Sequence, residues 1–164
     1  MPTVDALRVS NLVRTSFSQR VRPVKATNSL ELSSDEQENL KEIFQFSWKE
    51  TSAKDWERLS DVVSWFSPEA FCYYLPGIIV ASIEENCPTL TAVCNLLFML
   101  DRTPSLELWD NFFFERWTLL NSQELEAVAT WIHWLSGLQG FILDDISLTR
   151  VLLNIDLLID RLKN

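Results

Sequence analysis

The chain has 164 residues, a formal net charge of −9 and 47% hydrophobic residues. This is enough sequence for one domain with a substantial core. No signal-peptide pattern is present, and no apolar run reaches the roughly 18 residues that a membrane span needs. The three cysteines have no Cys-x-x-Cys spacing, which favours reduced thiols and a cytoplasmic protein.

The charge is divided unevenly along the chain. Residues 1–28 hold five basic residues and one acidic residue, a local charge of +4, so the remainder carries −13. An acidic body repels nucleic acid and anionic membranes, and we expect neither as its partner. The basic, Ser-rich N-terminus leaves two alternatives open, namely nucleic-acid contact through this arm alone and an organellar transit peptide.

Composition and periodicity predict an all-α fold. Three glycines and six prolines are few for a β-sandwich or barrel, and no stretch alternates convincingly as a strand. We therefore predict a single all-α domain, residues 1–164, with about six or seven helices around a central kinked helix. Its expected parts are a basic N-terminal helix and linker (1–32), a core (33–140) and a C-terminal amphipathic helix (141–164).

In chain order, apolar spacing predicts a first helix over about residues 4–19, and a capping-box pattern at either Ser33 or Ser34 predicts a second through residue 46. A short helix from residue 53 carries Trp56 and continues or bends towards residue 65.

The central helix is predicted from Ser67, which can cap it, from Pro68 at its first position, and from Glu69, which faces the positive end of its dipole. The following residues, to about residue 86, are apolar on nearly every side, as in a buried helix.

Pro76 lacks the amide that would bond the carbonyl of Cys72, so the helix should kink or break there. We expect a hydroxyl of Tyr73 or Tyr74, or an indole, to donate to that carbonyl. Gly77 should allow a neighbouring helix to come close.

Further helices are predicted over residues 90–100, from Pro104 to about residue 117, and from a capping box at Asn121 to Gly137. The last, residues 144–162, has the strongest amphipathic stripe. It either closes the core of the domain or forms the seam of a homodimer.

Several segments together resemble a small bacterial family of unknown function that is marked by an "SPEAFxYYLP" segment. The central match runs from Ser67 to Pro76, and weaker matches lie at Leu12–Phe17, Trp56–Leu59 and Phe113–Val128. The resemblance covers most of residues 9–136 and is lost after Gly140. It implies a fold unit and no catalytic residue. From this motif we single out seven residues, which we expect to have a structural role rather than a functional one. They are Ser67, Pro68, Glu69, Tyr73, Tyr74, Leu75 and Pro76.

Catalytic chemistry has little support in the sequence. The single histidine, His133, excludes His-x-x-x-His zinc helices and two-histidine sites within one chain. A metal site of Cys72, Cys94 and His133 has no ligand spacing to support it. The adjacent pairs Glu84-Glu85 and Asp144-Asp145 diverge by about 100° if helical, so neither should form a dyad. No phosphate loop or dinucleotide motif is present, and we predict no catalytic residue, metal or cofactor.

The first functional hypothesis is therefore a non-catalytic interaction protein with an acidic surface, of the inhibitor or immunity type, that binds a basic protein. The alternative is a small enzyme that uses His133 and buried carboxylates.

Overall fold

The computed structural model describes all 164 residues and consists of helices, turns and loops, without a strand. The predicted all-α fold is confirmed. The helices are α1 Val4–Ser16, α2 Ser34–Phe44, α3 Ala53–Arg58, α4 Val62–Trp65, α5 Pro68–Glu84, α6 Thr91–Leu100, α7 Asn111–Trp117, α8 Ser122–Ser136 and α9 Asp145–Lys163. Two 3-10 turns lie at Trp48–Glu50 and Leu106–Leu108. No helix combines the length and the apolar character that crossing a bilayer requires.

Helix α5 is the centre of the fold. Every residue from Ala70 to Ile83 is buried, and α1, α3, α6, α7 and the first 3-10 turn all pack against the helix. An apolar helix of this kind needs neighbours on all sides. The remaining helices are therefore arranged as a shell around α5, with α8 against α1 and α9 against α8 and α6.

Of the two outcomes predicted at Pro76, the break does not occur, because α5 runs unbroken from Pro68 to Glu84. The predicted close approach at Gly77 is confirmed. A Cβ atom placed there would lie 2.6 Å from the Thr51 hydroxyl oxygen and 2.9 Å from the Trp48 carbonyl oxygen. Only glycine allows the 3-10 turn to lie this close to the helix.

Two predicted helices differ from the structure. The segment 53–65 forms two helices, α3 and α4, so there are nine α-helices where about six or seven were expected. The helix predicted from Pro104 begins only at Asn111. Its start is set by Asp110, whose carboxylate accepts a hydrogen bond from the Phe113 amide at 2.8 Å. Because an aspartate at this position satisfies an amide of the first turn, it fixes the N-terminus there.

Helix α9 packs against the chain's own helices. Val151, Ile155 and Leu158 are buried against the core. The buried Asn154 accepts a hydrogen bond from the Trp109 indole at 2.9 Å and donates to two backbone carbonyls at and just after the end of α6. The apolar stripe of α9 therefore closes the core of the domain, which was the first of the two alternatives. The homodimer stays a prediction.

Replacing Gly77 by alanine should destabilise the protein by about 1–3 kcal/mol, since the new methyl group overlaps the 3-10 turn. The matched control is Gly137→Ala in the same background. A Cβ at Gly137 meets nothing closer than 3.5 Å, so that variant should be neutral or gain up to about 1 kcal/mol. Urea unfolding of both variants measures the difference, and equal stabilities would contradict the packing described at Gly77.

Candidate functional site

The linker between α1 and α2 consists of residues 17–33. A polar cleft of about 950 Å³ lies where this linker crosses the first turns of α5 and α8. It is the largest concave surface among the pockets of the protein. The charged residues that line it are Arg20, Arg22, Lys25, Glu69 and Glu124. The cleft thus gathers most of the basic N-terminal arm beside two helix N-termini, where backbone amides and helix dipoles favour negative charge.

The linker is fastened to α5 by the first residue of the motif. The Ser67 hydroxyl caps α5 by accepting from the Ala70 amide at 3.1 Å, and it donates to the Lys25 carbonyl at 3.2 Å. The Ser67 amide also donates to the Ala26 carbonyl at 2.8 Å. The predicted cap is therefore present, and the same side chain anchors the linker. Pro68 occupies the first helical position, and Glu69 is exposed at the cleft.

A second fastening joins the linker to α8. The Glu124 carboxylate is 2% exposed and accepts two hydrogen bonds from Arg20, at 2.7 and 2.6 Å. It also closes the predicted capping box by accepting from the Asn121 amide at 2.9 Å. Arg20 donates further to the Leu119 carbonyl at 2.7 Å. A bidentate pair with a buried carboxylate holds the linker in one position. Sequence reasoning identified Glu124 only as a cap and missed this pair.

The tyrosine hydroxyls do not reach the carbonyl of Cys72, and that prediction is wrong. Tyr74 donates to the Phe46 carbonyl at 2.8 Å and lies 3.3 Å from the Ile43 carbonyl, at the C-terminal end of α2. Its ring stacks on Phe66, with the ring centres 5.0 Å apart. Burial raises the pKa of the Tyr74 phenol, so the group remains a donor at neutral pH. Tyr73 makes no side-chain hydrogen bond, and no indole donates to that carbonyl either.

Leu75 and Pro76 are fully within the buried part of α5. Cys72, on the same helix, donates from its thiol to the Arg116 carbonyl at 3.2 Å. Burial raises the pKa of this thiol to about 12, so it is protonated and a poor nucleophile at neutral pH. The motif therefore places no activated nucleophile at the cleft.

The groups considered for catalysis lie apart. His133 is exposed on α8 in a separate groove that also contains Asp5. Glu124, the buried carboxylate, begins the same helix about 13 Å away along its axis. No three His, Cys, Asp or Glu side chains lie close enough to hold a metal ion, so Cys72, Cys94 and His133 do not form a site.

The adjacent carboxylates also diverge. Glu84 accepts two hydrogen bonds from Arg14, at 2.9 and 2.8 Å, whereas Glu85 accepts one from the Ala53 amide at 2.8 Å. Asp144 caps α9 through the Ser147 amide at 2.7 Å. As predicted, Glu84 and Glu85 do not form a carboxylate dyad.

Together, the fold and the cleft define an all-helical domain in which a basic linker is fastened across the N-termini of two helices. The chain belongs to the Family of unknown function (DUF6714), whose family model covers residues 9–140. This confirms the resemblance found in the sequence, and the match ends where that resemblance ends. No curated protein and no solved structure matches the chain.

Removing the Tyr74 hydroxyl should cost about 0.5–1.5 kcal/mol of stability, because Tyr74→Phe takes away the donor to the part-buried Phe46 carbonyl just after α2. Tyr73→Phe is the matched control and should stay within about 0.5 kcal/mol of the wild type. Urea denaturation of both variants gives the comparison. A larger loss for Tyr73→Phe would contradict the hydrogen bonding described here.

Breaking the Arg20–Glu124 pair should cost more than breaking the Arg14–Glu84 pair. Glu124→Gln leaves a charge unpaired beside a side chain that is 2% exposed, and we expect a loss of at least about 2 kcal/mol. Glu84 is about a third exposed, so water screens its pair and Glu84→Gln should cost less than about 1 kcal/mol.

The stability lost in Glu84→Gln should also depend on pH. The hydrogen bond from Arg14 lowers the pKa of Glu84, so this carboxylate stabilises the fold above its unfolded pKa, and the effect fades as the pH falls through its folded pKa. Unfolding curves recorded between neutral and acidic pH test both statements. Equal losses of stability in Glu124→Gln and Glu84→Gln at neutral pH would refute the expectation that the Arg20–Glu124 pair contributes more.

Proposed function

We propose that this protein is a non-catalytic, cytoplasmic interaction module that binds a basic protein through an acidic face, as an inhibitor or immunity-type binder does. The observation that carries the proposal is a row of carboxylates on α2 that the fold does not neutralise. Asp35 and Glu38 form no ion pair and no side-chain hydrogen bond, although the chain contains eight other carboxylate residues paired with cations across the structure.

The geometry of α2 puts these charges on one face. Asp35, Glu38 and Glu42 are spaced by three and four residues, and residues so spaced are neighbours on a helix surface. Only Glu42 is compensated, by Arg58 of α3 at 3.0 Å. Like charges at this spacing destabilise a helix. The dipole of α2 favours Asp35 in its first turn, but no partner within the fold compensates Glu38. Attraction of a positively charged partner accounts for the rest of the row.

Neighbouring segments carry further negative charge. Helix α4 packs against α2, and the exposed Asp61 just before α4 is also unpaired. Residues 31–61 together hold nine acidic and four basic residues, a net charge of −5. A surface of one sign accelerates the encounter with an oppositely charged protein more than it tightens the final complex.

The enzyme alternative has less support. It requires His133 to act with a buried carboxylate, but Glu124 is occupied by Arg20 and lies a helix length of about 13 Å away.

The test begins with recovery of a partner from the native cytoplasm and then measures association rates with the purified pair. At low salt, Asp35→Lys combined with Glu38→Lys should slow association by about tenfold or more. The matched control is Glu126→Lys with Asp156→Lys, which changes the charge equally at exposed, unpaired carboxylates on α8 and α9. This control should retain most of the rate, because its charges lie outside the proposed face.

Salt provides a second readout. Raising the ionic strength from about 0.1 M to about 1 M shortens the Debye length from about 10 Å to about 3 Å, and should strongly depress the wild-type association rate. Equal effects of the two double variants would refute the acidic face. Turnover of a small molecule that is lost in His133→Ala would replace the interaction proposal by the enzyme alternative.

A further inference from the structure

A smaller pocket of about 230 Å³ adjoins the cleft, and the two share Asn28 and Ser67 in their walls. The linker forms one side of this pocket, the residues around α4 form another, and α7 closes it with Phe112 and Arg116. Arg116 lies within the Phe113–Val128 match but was not singled out in the sequence, and its environment sets it apart from the other cations of the chain.

Arg116 is buried, with 8% of its surface exposed. Its guanidinium lies 3.7 Å over the centre of the Phe112 ring and donates to the Phe66 and Phe112 carbonyls, at 2.6 and 3.1 Å. A guanidinium has five N–H donors, and these two bonds leave three of them unused. One of the three, on Nε, is buried without any partner.

Arg116 also lacks a counterion, since it forms no ion pair with any carboxylate. Five other arginines, including Arg20 and Arg150, hold a carboxylate at hydrogen-bond distance. Burial without a partner charge lowers the pKa of Arg116, although the nearby Glu115 carboxylate opposes this shift. A buried cation without an anion is costly, and in a chain of net charge −9 carboxylates are plentiful.

We propose that this pocket binds a small compound bearing a carboxylate or phosphate group, for which Arg116 is the counterion. The rim carries further groups that suit such a ligand. The side chains of Asn28, Ser64 and Trp65 line the pocket and form no hydrogen bond within the protein. They can donate to anionic oxygens, while the rings of Trp65 and Phe112 can cover the organic part of the compound.

The size of the pocket favours a small ligand. About 230 Å³ is less than a drug-sized molecule occupies in a typical pocket of about 300–1,000 Å³. The one opposing charge in its lining is Glu115, which is exposed and repels an anion at the entrance. Removing that charge should therefore tighten binding, which gives the proposal a variant with a gain of affinity.

The test is a titration of the ¹⁵N-labelled full-length protein with sodium acetate and, separately, sodium phosphate, at ionic strength held constant with chloride. The signals followed are the Trp65 indole N–H, the Arg116 Nε–H and the amides of Asn28 and Ser64. We expect these signals to shift together and to saturate with one Kd for at least one anion. Saturation by acetate alone identifies a carboxylate ligand, and saturation by phosphate alone identifies a phosphate ligand.

Three variants make the assignment specific. Ser64→Trp fills the entrance from an exposed position and should weaken binding at least about tenfold. Glu115→Gln should tighten binding about twofold or more, because it removes the opposing charge. Arg161→Gln, the control, removes an exposed arginine that lies over Phe114 and should leave the Kd unchanged.

These variants leave Arg116 and its hydrogen bonds to the fold intact, so they test binding without a loss of folding. Shifts that grow linearly without saturation, or that are the same in Ser64→Trp and the wild type, overturn the proposal. Because the measurement involves no protein partner and no residue of α2, its failure is separate from failure of the acidic-face proposal.

Discussion

The burial of α5 on every side is the constraint on which the rest of the structure depends. A helix with no water around it must find partners for its polar side chains among its neighbours. Ser67 therefore binds the linker, Tyr74 binds the end of α2, and Cys72 binds the carbonyl of Arg116. Ser82 accepts from the Trp131 indole of α8 at 3.2 Å. Each of these four groups thus fixes the position of a different element.

The same constraint separates the two surfaces to which we assign binding. The linker must cross the start of α5, which brings the basic arm over two helix N-termini and beside the pocket at Arg116. Tyr74 holds the C-terminal end of α2, whereas Asp35 and Glu38, nearer the N-terminus of that helix, are exposed to solvent. Under the two proposals, a protein with net charge −9 has one region that attracts anions and another that attracts cations.

The sequence predicted those features of the fold that depend on residues close together in the chain. The caps at Ser67 and Asn121 and the buried character of α5 follow from residues within a few positions of one another. The pair between Arg20 and Glu124 joins residues 104 positions apart, and Arg116 meets the Phe66 carbonyl across 50 positions. Nothing in the sequence distinguishes those arginines from their exposed counterparts. The acceptor of Tyr74 was missed for the same reason, since it lies just after α2, which the sequence does not place beside α5.

Helix α9 lies beyond the part of the chain that the family model covers, yet it supplies core residues and the amide of Asn154 that partners Trp109. Helix α9 therefore acts as an intramolecular binding partner for the rest of the domain. Its linkage to the same chain gives it an effective concentration that a separate helix would lack. A family member without an equivalent of α9 would have to cover the same face of α6 and α8 by other means, for instance with a helix from a second chain.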